Sequence, residues 1–144
     1  MSDALVTISG NITADPELRF TQNGHPVASF SVAHTPRRFD RTANEWIDAG
    51  ETLFLRVNVW REQARNLVAS LHKGDAVLVI GSLIARTWQT KDGDDRVSIE
   101  CTADIVSVDL RRARIEGLQR VRRDIEAPDD AWATSDVPAA TSAA

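Results

Sequence analysis

The 144-residue chain reads as an all-β fold with one helix, a small five-stranded Greek-key barrel with extended hairpin loops. Three observations predict it. Short runs in which apolar and polar residues alternate recur at close spacing, each bounded by a turn signal. A single internal segment carries the helical period, and it falls between the third and fourth major strands. One glycine, Gly81, interrupts a long apolar run where a barrel strand must bend. That succession of elements is the one found in closed or nearly closed barrels of the OB type.

In order along the chain, Ala4–Ser9 reads as a strand leading to Gly10, and Asp15-Pro16 starts a turn before Glu17–Phe20. Asn23-Gly24 between two apolar-containing runs is a hairpin signal, because both residues tolerate the positive φ that tight hairpins need. Val27–Ala33 alternates Ala28, Phe30 and Val32 with Ser29 and Ser31. The polar stretch His34–Gly50 reads as a long loop or an extended hairpin tip, and the next strand lies within Glu51–Glu62. Ala64, Leu67, Val68 and Leu71 then recur at helical spacing, with Gly74 as the stop. Ala76–Thr90 is a long strand broken at Gly81, and Lys91-Asp92-Gly93-Asp94 turns the chain. Arg96–Thr102 returns with Val97, Ile99 and Cys101 on one face, and Ile105–Leu110 is a last strand.

Composition excludes several function classes. With 42% hydrophobic residues the chain fills one sizeable core, so a single domain with a tail is expected. No run approaches the roughly 18 consecutive apolar residues of a membrane span, and MSDALVTISG lacks the basic start and apolar run of a secretion signal. A cytoplasmic protein is the expectation. The lone Cys101 allows no intrachain disulfide and no cysteine-based zinc site; its strand parity with Val97 and Ile99 suggests a buried thiol, with an intersubunit disulfide as the alternative. His25, His34 and His72 lack metal-ligand spacing, and Asp94-Asp95 sits at a hairpin tip where acids form turns. Neither a glycine-rich phosphate loop nor a nucleophile elbow is present. A binding protein without metal or cofactor is therefore expected rather than an enzyme.

The net charge of −4 is unevenly spread. Residues 1–110 hold 11 basic against 15 acidic side chains, residues 111–123 hold 6 against 1, and residues 124–144 hold none against 5. A polyanion responds to the local field of a groove, so the net figure does not exclude one.

The strand within Glu51–Glu62 raises the question of function. Alternation puts Leu53, Leu55, Val57 and Val59 on one face and Phe54, Arg56, Asn58 and Trp60 on the other. The aliphatic face belongs to the core, which leaves two aromatic rings with an arginine between them on the outside. Arg86, Trp88 and Thr90 repeat the arrangement beyond Gly81, and Arg37, Arg38 and Arg41 surround Phe39. Rings interleaved with cations suit single-stranded nucleic acid, since each base stacks and each phosphate pairs with a guanidinium. A single ring on such a face is as readily covered by a loop or a subunit contact. Repetition in three segments favours the nucleic-acid reading.

Several blocks resemble one family. Gly10-Asn11-Ile12, Asp15-Pro16-Glu17-Leu18-Arg19-Phe20 and Asn23-Gly24 resemble the N-terminal signature of bacterial single-stranded DNA-binding proteins. Arg56-Val57-Asn58-Val59-Trp60, Leu71-His72-Lys73-Gly74-Asp75, Gly81-Ser82-Leu83, Arg86-Thr87-Trp88 and Gly93-Asp94-Asp95-Arg96 follow in the family's order, so the resemblance runs from Leu5 to Leu110. It implies an OB-fold that assembles as a homotetramer and wraps single-stranded DNA in replication, recombination or repair, in the cytoplasm at the nucleoid. It also implies stacking by Phe39, Phe54, Trp60 and Trp88 and phosphate contacts by Arg56, Lys73, Arg86 and Arg96. Arg37, Arg38 and Arg41 are added from this chain's own pattern. An RNA-binding or protein-interaction module on the same fold remains the alternative.

The resemblance stops at Leu110. Arg111–Arg123 spaces Ile115, Leu118 and Val121 by threes among six arginines, which reads as a short helix or a basic arm, although Gly117 disfavours a helix. Residues 124–144 are acidic, poor in apolar bulk and expected to be disordered. Many family members end on aspartates followed by Ile-Pro-Phe or Leu-Pro-Phe, which recruit replication and repair enzymes. This sequence ends on Thr141-Ser142-Ala143-Ala144, so weak or no recruitment of such tail-reading enzymes is expected.

Overall fold

Alternating β-branched and polar residues favour strands along much of the first 110 residues. The computed structural model describes residues 2–121. Among them lie eight strands and one helix: β1 (Leu5–Ile12), β2 (Glu17–Phe20), β3 (Pro26–His34), β4 (Arg37–Asp40), β5 (Glu45–Asp48), β6 (Leu53–Trp60), α1 (Arg61–Ser70), β7 (Ala76–Gln89) and β8 (Asp95–Val108). The described chain falls into two units that meet between Arg114 and Ile115. All nine elements belong to the first.

Five strands close into a barrel in the order β1, β7, β8, β6, β3, with β3 returning to β1. Every pairing is antiparallel except β6 with β8, which runs parallel through Arg56↔Glu100, Val57↔Cys101 and Asn58↔Thr102. The β1–β3 closure is shorter still, Asn11↔Ala33 and Ile12↔Val32, extended by the Thr13 amide donating to the Ser31 carbonyl at 3.0 Å. β2 adds to the outside edge of β3, and β4 pairs with β5 as a separate hairpin. Inside, Ile12, Val32, Val57, Val59, Val77 and Val79 are fully buried, and α1 packs Ala64 and Leu67 against this core. The helix ends where the Leu71 amide donates to the Leu67 carbonyl, and Gly74, at φ +92°, turns the chain into β7. No helix among the described residues is long and apolar enough to cross a membrane.

Two glycines let the barrel close. A Cβ on Gly10 would lie 2.3 Å from the Ala33 carbonyl oxygen, and one on Gly81 would lie 2.2 Å from that of Thr102. Neither obstacle is a flexible side-chain tip, so each strand crossing requires the missing side chain.

The expected barrel is present, with differences in detail. The sequence splits the last strand in two, but β8 is continuous over 14 residues. Its register slips beside Gly81, where Ile80 faces Ile105 and Gly81 faces Ala103, leaving Asp104 as the extra residue. The bulge that Gly81 signals is thus carried by the partner strand, and the extra residue disguises the period-2 pattern. The stretch His34–Gly50 holds the β4–β5 hairpin, whose base is closed by the Ala49 amide on the Pro36 carbonyl at 2.8 Å. Leu53, expected on the core face, is exposed. Residues 111–121 form turns and irregular chain with no helix, and the acidic segment 124–144 lies outside the described residues.

Gly81→Ala is expected to destabilise the fold by about 3 kcal/mol, at the upper end of ordinary overpacking because the obstruction is backbone. Urea unfolding followed by far-UV circular dichroism measures this, and an unchanged midpoint would contradict the crossing geometry.

Candidate nucleic-acid interface

Strand parity settles which side chains share the outer face of β6. Leu55, Val57 and Val59 are buried in the barrel, while Phe54, at 67% exposure, Arg56 and Trp60 face outward. Register extends this face sideways. Trp60 sits opposite Val27, which sits opposite Arg19 on β2, so Arg19 joins the same row. Arg56 lies between Ser31 on β3 and Glu100 on β8, and Phe54 lies beside Ala33.

Asn58 behaves differently from its neighbours. It has their outward parity yet is only 5% exposed. Its Oδ1 accepts from the Ser29 hydroxyl at 2.8 Å, and its Nδ2 donates to Glu100 Oε2 at 3.0 Å. The same carboxylate oxygen accepts from Arg86 Nε at 3.0 Å. One polar chain therefore crosses β3, β6, β8 and β7. No buried side-chain nitrogen or oxygen among the described residues is left without a partner, so the row is internally satisfied. The pairing of Arg86 was not legible in the sequence, and it makes Arg86 a strut as well as a surface cation.

Two hairpins extend the set. Phe39 on β4 sits opposite Trp46 on β5, with ring centroids 5.8 Å apart at an interplanar angle of 65°, an edge-to-face pair. Trp46, 61% exposed, is an aromatic that sequence reasoning missed, although Glu45-Trp46-Ile47-Asp48 does alternate. On the β7–β8 hairpin, exposed Trp88 sits opposite Arg96. Arg37 is held at the base of its hairpin by Asp48 at 3.4 Å and donates to the Trp46 carbonyl at 2.9 Å. Arg38, Arg41, Arg56, Lys73 and Arg96 have no ion-pair partner among the described residues. Lys73 lies apart from the strand faces, in the turn after α1, where its amide donates to Asp15 Oδ1 at 2.8 Å.

Two ionisable groups depart from their ordinary behaviour. Burial in the core, reinforced by the nearby Asp104 charge, pushes the Cys101 thiol up, which keeps it protonated and weakly nucleophilic. Hydrogen bonds from Arg111 hold the Asp109 carboxyl below the usual carboxylate value, so this pair is intact at neutral pH and opens only in acid, as pH falls through the lowered value. Among the described residues no three His, Cys, Asp or Glu side chains cluster as metal ligands.

Asn58→Ala is expected to cost about 1–3 kcal/mol, because it leaves the Ser29 hydroxyl and one Glu100 acceptor position unmatched in a buried row. Chemical denaturation reads the loss. Cys101 is expected to react with a maleimide only at the rate of unfolding, and rapid labelling of the folded chain would contradict its burial.

Comparison with known proteins agrees with this fold. A single-stranded DNA-binding protein of Paenarthrobacter nicotinovorans is 50% identical over 120 residues, covering 82% of this chain and 70% of the relative. One from Mycobacterium tuberculosis H37Rv is 51% identical over 111 residues, covering 77% of this chain and 67% of the relative. The crystal structure of a small single-stranded DNA-binding protein from Streptomyces coelicolor superposes with a TM-score of 0.68 at 35% identity, covering 78% of this chain and all of that one. The family model of the single-strand binding proteins matches residues 4–109, nearly the whole barrel unit, and the chain belongs to that family.

Proposed function

We propose that this chain binds single-stranded DNA without reading its sequence, by stacking bases on exposed rings and pairing phosphates with the cations between them. Family membership supports the ligand, and it agrees with a binding role rather than catalysis. The observation that carries the mechanism is the outer face of β6, where Phe54 and Trp60 stand exposed on either side of Arg56 and the satisfied Asn58 row. Phe39 with Trp46, and Trp88 beside Arg96, continue the platform onto the two hairpins. Arg38 and Arg41, without an ion pair among the described residues, supply cations near the first ring pair, and Arg19 does so one strand beyond Val27 from Trp60. Arg86 gives Nε to Glu100 but remains half exposed, so its terminal nitrogens stay available to a phosphate. Lys73 reaches a phosphate from off the strand face, in the turn after α1.

Assembly into a homotetramer that the strand wraps is the second part of the proposal. The outer surface of β1, β7 and β8 carries exposed Leu5, Leu78, Ile80 and Ile105, an aliphatic patch suited to burial against another copy. It lies on strands other than β3 and β6, so self-association there leaves the faces of Phe54, Arg56 and Trp60 open, with Trp88 and Arg96 at the far end of β7 and β8. Such a protein coats single strands exposed in replication, recombination or repair, at the nucleoid.

Titration with oligo-dT is expected to quench tryptophan fluorescence and to saturate at a multi-nucleotide site size, while duplex DNA gives little response. Poly-U measures how far RNA is accepted. The double variant Phe54→Ala, Trp60→Ala is expected to lose ~1–3 kcal/mol of binding per ring while sedimenting like the parent. Unchanged affinity, or a misassembled variant, would show that these rings serve packing instead.

A further inference from the structure

A second cationic feature lies off the outer face of β6. Beside the β1–β3 closure there is a cavity of about 280 Å³, lined by Gly10, Asn11, His34, Arg37, Arg111 and Arg112 among others. Its arginines come from two distant segments that the fold brings together. After β8 the Asp109 amide donates to the Ala76 carbonyl at 2.9 Å, and the Arg112 amide then donates to the Asp109 carbonyl at 3.2 Å, a tight turn. The Asp109 carboxylate locks it, accepting from the Arg111 amide at 3.0 Å, from Nε at 3.0 Å and from Nη2 at 2.8 Å. The chain is thereby kept against the cavity for two arginines past the barrel. From the other side Arg37 is fixed by Asp48 and the Trp46 carbonyl.

The charges in this cavity do not cancel. Arg37 and Arg111 are matched by Asp48 and Asp109, whereas Arg112 has no ion pair among the described residues. His34 Nδ1 donates to the Ser9 carbonyl at 2.7 Å. An excess of one positive charge, with guanidinium groups from two directions in a space larger than a tetrahedral oxyanion, suits a phosphate group. Arg37 also stands two residues before Phe39 on β4, so the cavity adjoins the outermost ring pair.

We infer that this cavity seats a backbone phosphate of the bound single strand, extending its path from the Phe39–Trp46 hairpin onto the barrel seam. The inference rests on the DNA-binding reading above and adds a contact outside the stacking platform. One net charge holds free inorganic phosphate weakly. A phosphate tethered to bases already stacked nearby arrives at high effective concentration.

The test is the salt dependence of oligo-dT affinity, read by tryptophan quenching, for the full chain and for Arg112→Ala, Arg112→Gln and Arg112→Lys. Loss of one phosphate contact is expected to flatten the slope of log affinity against log salt by about 0.7, so that a tenfold rise in salt costs about fivefold less affinity than in the parent. Arg112→Lys should restore the slope, and the saturated quench at low salt should stay unchanged in all three, because Trp60 and Trp88 still stack. Parent-like slopes in Arg112→Ala and Arg112→Gln would overturn the site while leaving DNA binding intact, whereas no quenching of the parent would overturn both. A parallel arm follows the Arg112 Nε–H resonance. A shift with oligo-dT but not with millimolar inorganic phosphate is expected, and an equal response to inorganic phosphate would reassign the cavity to the free anion.

Discussion

The barrel depends on two short seams. Its long antiparallel pairings build two layers, β2–β3–β6 and β1–β7–β8, whose strand pairing with each other is limited to two register pairs between β1 and β3 and three between β6 and β8. Gly10 permits the first seam by removing a side chain from the path of Ala33. The second is bridged by the hydrogen bond from Asn58 to Glu100, which Ser29 and Arg86 extend into both layers. The division has functional weight, because the ring platform is centred on one layer and the aliphatic patch lies on the other.

In a chain of net charge −4, three arginines are each held by a carboxylate. Glu100, Asp48 and Asp109 each spend their charge on an arginine, Arg86, Arg37 and Arg111 in turn. Near the rings, Arg19, Arg38, Arg41, Arg56 and Arg96 have no ion pair among the described residues, and neither do Asp40 and Glu45 beside the Phe39–Trp46 pair. Acids placed this way hold guanidinium groups in position. Sequence counting cannot see this distinction, because an arginine tied to a carboxylate and a solvent-facing one are the same letter.

Legibility followed the range of the interaction. The inward set Leu55, Val57 and Val59 and the exposed rings Phe54, Trp60 and Trp88 were readable, since alternation is a local property of one strand. Burial of Asn58 was not, because its partners stand 29 and 42 residues away. The continuity of β8 was hidden by Asp104, whose insertion reverses parity so that Cys101 and Ala103 face inward before it and Val106 and Val108 after it. Trp46 escaped notice because a four-residue strand in a polar stretch gives little periodicity to count. The cavity at the seam was beyond reach for a similar reason, being assembled from residues as far apart as Ser9 and Arg112.

The β4–β5 hairpin shares no strand pairing with the barrel sheet, and each of its strands is four residues long. A ribbon of that size has little stability of its own. Its opening free energy is therefore a small fraction of the global value, so its amides exchange with solvent while the barrel core stays protected. Phe39 and Trp46 ride on the element that frays first, and Trp60 is fixed to one that frays last. A ligand spread over both would be released in stages, with its grip at the hairpin relaxing and re-forming many times before the barrel lets go.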